Sequence, residues 1–261
     1  MDRKNIDIIA ETPEDRVLLA KLWDKIQSGI RKNIPSHTGF LSPRELQLAR
    51  YLFGEENGLY IFGGYENAER NMYVYLPDYM DADYLTDTES PIVCLRASFY
   101  KDDSPSHRDF LGALMGCGIT RESVGDILVD HHSCDFLVTT EIAPYVLQNF
   151  DSAGRVSVKL TQIPLCDICT PEQKYFEIKD TVASVRLDSI ISSGFRISRS
   201  NAAEYINAGK AAIDGRLCEK ADKLVSTDSK ISVRGLGKIQ LHQIGHTTKK
   251  GRISVIIHRF E

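Results

Sequence analysis

The sequence predicts an α+β protein in three parts, and three observations carry that prediction. Capped segments of helical periodicity open the chain. A strand, helix, strand, strand, helix, strand succession follows, and charge then divides the chain, with 14 Lys+Arg against 7 Asp+Glu from Ala183 to Glu261 and 18 against 29 before it. The formal charge of -4 therefore hides a basic end of +7 on a body of -11, as expected when one part of a protein meets a polyanion and the rest stays off it. With 261 residues, 42% of them apolar, the chain can bury a sizeable core.

The first part, residues 1–82, reads as mostly helical. Thr12-Pro13-Glu14-Asp15 combines an N-cap threonine, a proline at the first helical position and acids in the first turn, which predicts a helix from about 13 to 31. Val17, Leu18, Leu22, Trp23 and Ile26 recur there at helical spacing as the stripe to be buried. Ser42-Pro43-Arg44-Glu45 is a capping box for a second helix through about Phe53. After a turn at Glu55 to Gly58, LYIFGGYENAERNMYVYLP gives two strand-like runs joined through Gly63-Gly64. The acidic run DYMDADYLTDTESP breaks periodicity and reads as a linker.

Residues 88–165 form the second part. PIVCLRASFY alternates as a strand, and SHRDFLGALMGCG sets Phe110, Leu111, Leu114 and Met115 on one helical face. GDILVD and CDFLVT flank His131-His132-Ser133 as a hairpin, TEIAPYVLQNF is a short helix, and RVSVKLTQI is a last strand. The order βαββαβ is the ferredoxin-like split arrangement shared by RNA-recognition motifs. It hosts many functions and specifies none. It also lacks the paired aromatics that stack bases in those motifs, Phe136 standing alone as a core residue, so the part reads as a docking element.

A second linker, TPEQKYFEIKD, leads into the basic part, residues 183–261. Arg186-Leu187-Asp188 starts a short helix with Leu187, Ile190 and Ile191 on one face, Gly194 is its left-handed stop, and Phe195 packs the turn. Ser198 is the N-cap of a second helix ending at Gly209. Asp214-Gly215 in AAIDGRLC is a tight hairpin signal, and KISVRGLGKIQL supplies a further strand.

RLDSII, GFRISRSNAAEYINAGKAAIDG and ISVRGLGK resemble the S4 RNA-binding domain in order and spacing, from about Arg186 to about Leu241. Two departures stand out: Ile213-Asp214-Gly215 replaces the usual Val-Asn-Gly, and Thr227-Asp228 replaces Gly-Asp, leaving that bend to a residue other than glycine. Arg199 falls at the first helical position, where the helix dipole disfavours a cation by about a few tenths of a kcal/mol. An RNA phosphate on the free backbone N–H groups would compensate. The expected RNA contacts are Arg186, Arg196, Ser198, Arg199, Ser200, Lys210, Arg216, Arg234 and Lys238, with Lys249, Lys250 and Arg252 as a basic turn beyond the S4 match.

FGGYENAERNMYVYLPDY and HRDFLGALMGCGITRESVGDILV are similar to the corresponding segments of the YlmH family, bacterial proteins with a helical first part, an RRM-like middle and a C-terminal S4 domain. The resemblance implies non-catalytic binding of large-subunit ribosomal RNA, and of tRNA, in handling obstructed subunits that still carry peptidyl-tRNA. The free protein is expected to be a monomer. Gly63-Gly64 with Arg70, and Arg121 with Gly125, are read as tight turns and surface loops, the alternative being the border of a ligand groove.

Three rivals accompany this reading. Asp188 lies in an Arg-Leu-Asp string like that of pseudouridine synthases, so an RNA-modifying enzyme using Asp188 is the alternative. Cys166 and Cys169 with His131, His132 and Cys134 would make a zinc site if the hairpin approached the 166 loop. The third is a scaffold whose acidic residues recruit a protein. No Walker-type loop, GxSxG, HExxH or GxGxxG occurs, and no metal or cofactor is expected. No run approaches the roughly 18 apolar residues of a membrane span, and MDRKNIDIIAETPED lacks the apolar core of a secretory signal. The expectation is a cytoplasmic protein whose six cysteines stay reduced.

Overall fold

The computed structural model describes residues 3–54, 57–100, 102–170, 175–248 and 251–260, without the side chain of Lys4. They fall into two compact units, Met1–Pro171 and Glu172–Glu261. Glu55 and Glu56 of the expected turn lie outside the described residues.

In the first unit, helix α1 (Pro13–Lys32) is capped by Thr12, whose side chain accepts from the Asp15 N–H. The stripe that it buries is Leu19, Leu22 and Ile26. Val17 belongs to the solvent side at 56% exposure, because the N-cap sets a helical phase that places Leu19, not Val17, four residues after the buried Asp15. Helix α2 (Pro43–Phe53) begins on the predicted Ser42 capping box. Strands β1 (Leu59–Phe62) and β2 (Met72–Tyr75) form a small antiparallel sheet with Ser36–His37 beside β2. The acidic run is no free linker: Leu85 and Ser90 are buried, and Ser90 Oγ donates to the Leu85 carbonyl at 2.7 Å.

The middle sheet comprises β3 (Ile92–Ser98), β4 (Val124–Val129), β5 (Ser133–Thr139) and β6 (Lys159–Ile163) in the antiparallel order β4-β5-β3-β6, the split arrangement read from the sequence. Helices α3 (His107–Gly116) and α4 (Ala143–Asn149) accompany it. The last predicted strand is broken, Val156–Ser157 pairing back on Ser152–Ala153 before β6 starts at Lys159. Alternation along β5 decides the packing: Phe136 joins Phe110, Leu114 and Val146 on one face, while Leu137 joins Phe40, Met72 and Ile92 on the other. Both faces are thus covered, and the helical part and the middle sheet share one unit. Gly64 fits that seam because a Cβ there would overlap Leu137 Cδ2.

The second unit is a six-stranded antiparallel sheet. It contains β7 (Tyr175–Val182), β8 (Ala211–Ile213), β9 (Arg216–Leu217), β10 (Lys230–Val233), β11 (Gly237–Thr247) and β12 (Ile253–Phe260), in the order β7-β12-β11-β10-β8-β9. Helices α5 (Leu187–Phe195) and α6 (Arg199–Asn207) bury Leu187, Ile190, Ile191, Ala202 and Ile206 in its core. Three expectations are corrected. Tyr175–Val182 of the supposed linker is an edge strand, held by eight residue pairings to β12. KISVRGLGKIQL is a hairpin and not one strand, because Gly235 and Gly237 turn the chain with φ of 91° and 111°. Gly194 is not the helix stop: it lies inside α5, where a Cβ would come within 2.7 Å of Ile239 Cδ1, and Arg196 takes the left-handed conformation at φ 55°. The bend expected before the last S4-like strand falls on Asp228 at φ 63°.

Candidate nucleic-acid interface

The left-handed turn between α5 and α6 builds the site. The Arg196 N–H closes α5 on the carbonyls of Ser192 and Ser193, and Ser192 Oγ donates to the Ile197 carbonyl at 2.7 Å. Chain direction reverses there, and Arg196 is exposed beside the start of α6. Ser198 caps α6 by accepting from the Asn201 N–H at 3.1 Å, with Ser200 Oγ 3.1 Å from its hydroxyl.

A cavity of about 230 Å³ opens at this point, lined by Arg196, Arg199 and Arg252 with the hydroxyl-bearing Ser189, Ser192 and Ser193. Arg252 is anchored on Thr181, through Oγ1 at 3.0 Å and through the carbonyl. Asp180 also lines the cavity, but one carboxylate oxygen accepts from Ser193 Oγ at 2.7 Å and the other from the Thr181 N–H at 2.7 Å. Three guanidiniums, that of Arg199 also paired to Asp188, thus line the cavity with one satisfied carboxylate, and the planar forks of arginine have the geometry that matches a phosphate.

In the protein alone, Arg199 Nη2 donates to Asp188 Oδ2 at 2.7 Å, so a carboxylate of the preceding helix already offsets the dipole penalty. The Arg199 side chain remains 51% exposed, which leaves part of its fork free for a ligand. Arg186 shares the same carboxylate, at 3.3 and 3.2 Å. Burial pushes the Asp188 carboxyl up, but the hydrogen bonds from Arg199 and Arg186 outweigh it and hold the group below the usual carboxylate range. Asp188 is therefore a buried anchor for two arginines.

The remaining expected contacts lie apart from this cavity. Lys210 sits with its ammonium 5.4 Å above the Tyr205 ring at the end of α6, and its carbonyl accepts from the Arg234 N–H at 2.8 Å. Arg216 is half-buried in the β8–β9 hairpin, and Lys238 lines a second cavity with Arg196. Lys249 and Lys250 lie outside the described residues. Sequence reasoning missed Arg259, which lines that second cavity. Its signal was available: in ISVIIHRF it shares the alternating face of the buried Val255 and Ile257, and a cation on a core face calls for explanation.

In the first unit the two arginines weighed as a groove border, Arg70 and Arg121, donate to backbone carbonyls. Arg70 donates to the carbonyls of Val124, Phe40 and Arg121, and Arg121 to those of Val124 and Gly125. Burial and the neighbouring Arg121 push the Arg70 pKa down to about 10. Cys134 is in the core, whereas Cys169 is exposed with its sulfur 3.3 Å from Arg96 Nη2. Among the described residues no group of three or more His, Cys, Asp and Glu could hold a metal ion, and no helix is long and apolar enough to cross a membrane.

Residues 100–167 match the family described as "Putative RNA-binding domain in YlmH". The chain is 32% identical over 225 residues to the ribosome-associated protein quality control protein P2 of Bacillus subtilis (strain 168), covering 85% of this chain and 86% of that protein. It is also similar to the solved structure of the cell division protein ylmH from Streptococcus pneumoniae, with a TM-score of 0.48 and 21% identity over 60% of this chain and 96% of that one. Identity of this extent over most of both chains makes the protein a homologue of a ribosome-associated quality control protein, and the chain belongs to the YlmH family.

Proposed function

We propose that this protein binds structured RNA without catalysis through its second unit, an S4-type module, and that the RNA belongs to the large ribosomal subunit. The convergence of Arg196, Arg199 and Arg252 on one cavity carries this reading. Phosphates are the ligand such a cavity fits, and contacts to about three to five of them would lower log affinity with log salt by about 0.7 to 0.9 per contact. Shape is then read more than sequence, because A-form grooves give side chains little base information. The matched region, residues 100–167, contributes through edges and loops, since both faces of its sheet are covered. A relative named for ribosome-associated quality control supports a role on the ribosome; obstructed subunits carrying peptidyl-tRNA as the target, the cytoplasm as the place of action and a monomeric free protein belong to the same proposal. Asp188 takes no chemical step in this reading, being committed to Arg186 and Arg199.

The test is a salt titration of binding to purified large subunits and to transcribed large-subunit RNA. Arg196→Glu is expected to weaken binding at least about tenfold and to reduce the salt slope by about one. Equal affinity and slope for variant and wild type would remove the cavity from consideration. Site-specific uridine modification that depends on Asp188 would establish the enzymatic alternative.

A further inference from the structure

Beside the arginine cavity lies a larger one of about 670 Å³, in the same unit and with a different chemistry. Phe176, Leu236 and Phe260 give it apolar walls, and Arg196, Lys238 and Arg259 bring positive charge. Phe176 is 61% exposed on the edge strand β7 and pairs in register with Arg259 on β12. The Arg259 guanidinium lies 5.2 Å from the centre of the buried Phe195 ring. Among the described residues, Arg196 and Arg259 have no ion pair, and neither side chain has a hydrogen-bond partner. Glu177, the acid at the rim, is drawn to the opposite face of the strand, 3.0 Å from Lys179 and 3.9 Å from His258.

An exposed phenyl ring and a planar guanidinium side by side on one wall of the groove form the kind of surface on which an unstacked base rests, and cations at the rim answer its phosphate. Arg196 lines both cavities, so one RNA strand can be followed from the first into the second. We propose that this groove receives an unpaired nucleotide of the bound RNA, its base stacked against Phe176 and Arg259. The inference rests on the RNA-binding reading above and adds to it a preference for helices interrupted by a bulge or loop. It also gives a purpose to the edge strand that the S4-like motif does not include.

The experiment uses the full chain and two RNA hairpins, one fully paired in its stem and one with a single bulged 2-aminopurine. Wild type is expected to bind the bulged hairpin about tenfold more tightly, as stacking of one base allows, and to quench its fluorescence. Phe176→Ala should abolish both the preference and the quenching while leaving affinity for the paired hairpin unchanged, and Phe176→Trp should restore both. Equal urea midpoints of these variants would confirm that an exposed position has been altered without damage to the fold. If Arg196→Glu weakens both hairpins but Phe176→Ala changes neither, the nucleotide groove is wrong and the phosphate cavity stands. If wild type binds neither hairpin nor the ribosomal RNA, both readings fall. If Phe176→Ala keeps both RNA affinities yet loses binding to a purified ribosomal protein, a protein ligand fills the groove and the proposal is overturned.

Discussion

Arg96 in the first unit and Arg196 in the second are the same residue put to opposite uses. Arg96 donates through Nε and Nη2 to the two oxygens of Asp135, both at 2.7 Å, and again to the Asp167 carbonyl at 2.8 Å. Asp135 is 1% exposed in its side chain and also accepts from the Cys169 N–H at 2.9 Å, so the pair ties the 167–169 loop to the middle sheet. Arg44, clamped to the capping carboxylate Asp15 at 2.6 and 2.7 Å, does the same for the first two helices. Arg196 instead is exposed in a left-handed turn, without a carboxylate partner among the described residues. A guanidinium supplied with its counter-group by the fold holds the fold. One left without it raises the local potential and is available to a phosphate.

The largest expected effect breaks this contrast at its structural end. Asp135→Ala leaves Arg96 unpaired beside a buried sheet face and should cost about 3 kcal/mol of stability. A urea titration followed by Trp23, the chain's one tryptophan, reads it in the first unit. A loss under about 0.5 kcal/mol would show the pair to be ornamental.

A smaller effect concerns acid. The hydrogen bond from Arg44, opposed by burial, lowers Asp15 to about 2. Because the folded pKa lies below the unfolded one, near 3.9, the contribution is complete above about pH 4 and is lost as pH falls towards 2. Its full size is about 2 kcal/mol, and Asp15→Asn should flatten that limb of the urea midpoint against pH. An unaltered limb would assign the acid sensitivity to other carboxylates.

The second unit should respond at a different pH, which sharpens the comparison. Burial, reinforced by the stacked His242 ring, holds His258 below its ordinary value against the pull of Glu177 and Asp228. The unfolded chain then takes up the proton first, so stability falls as pH drops through about 6.5. Protection of the Val255 and Ile257 amides, taken relative to the intrinsic exchange rate at each pH, should fall between pH 7 and 5, and His258→Gln should remove most of that slope. Identical slopes would place the titration elsewhere.

The smallest effect is expected at the other end of the contrast. Arg196→Ala should change stability by less than about 0.5 kcal/mol, because among the described residues its side chain has no hydrogen bond or ion pair to lose. A loss comparable to that of Asp135→Ala would mean that the two arginines are not opposites.

The basic end, the capped helices and the βαββαβ order were legible because each rests on local or periodic signals. Caps depend on residues three apart, hairpin turns on adjacent residues, and charge on composition alone. Arg199 shows the limit. Its helix position was readable, but its partner Asp188 belongs to the preceding helix and reaches it only because α5 and α6 pack. Phe176 shows it again: a polar, irregular-looking stretch became an edge strand because the distant β12 offered it a ladder.

By itself, then, the sequence determined the capped helices and the βαββαβ order, that the last part is cationic, and which family the motifs resemble. Tertiary structure alone decided that Leu137 joins the helical part and the middle sheet into one unit, and which arginines are consumed by carboxylates and carbonyls. The physical reason is range. Capping and periodicity act over a few residues, whereas the state of a guanidinium is set by whatever the folded chain brings within hydrogen-bond distance.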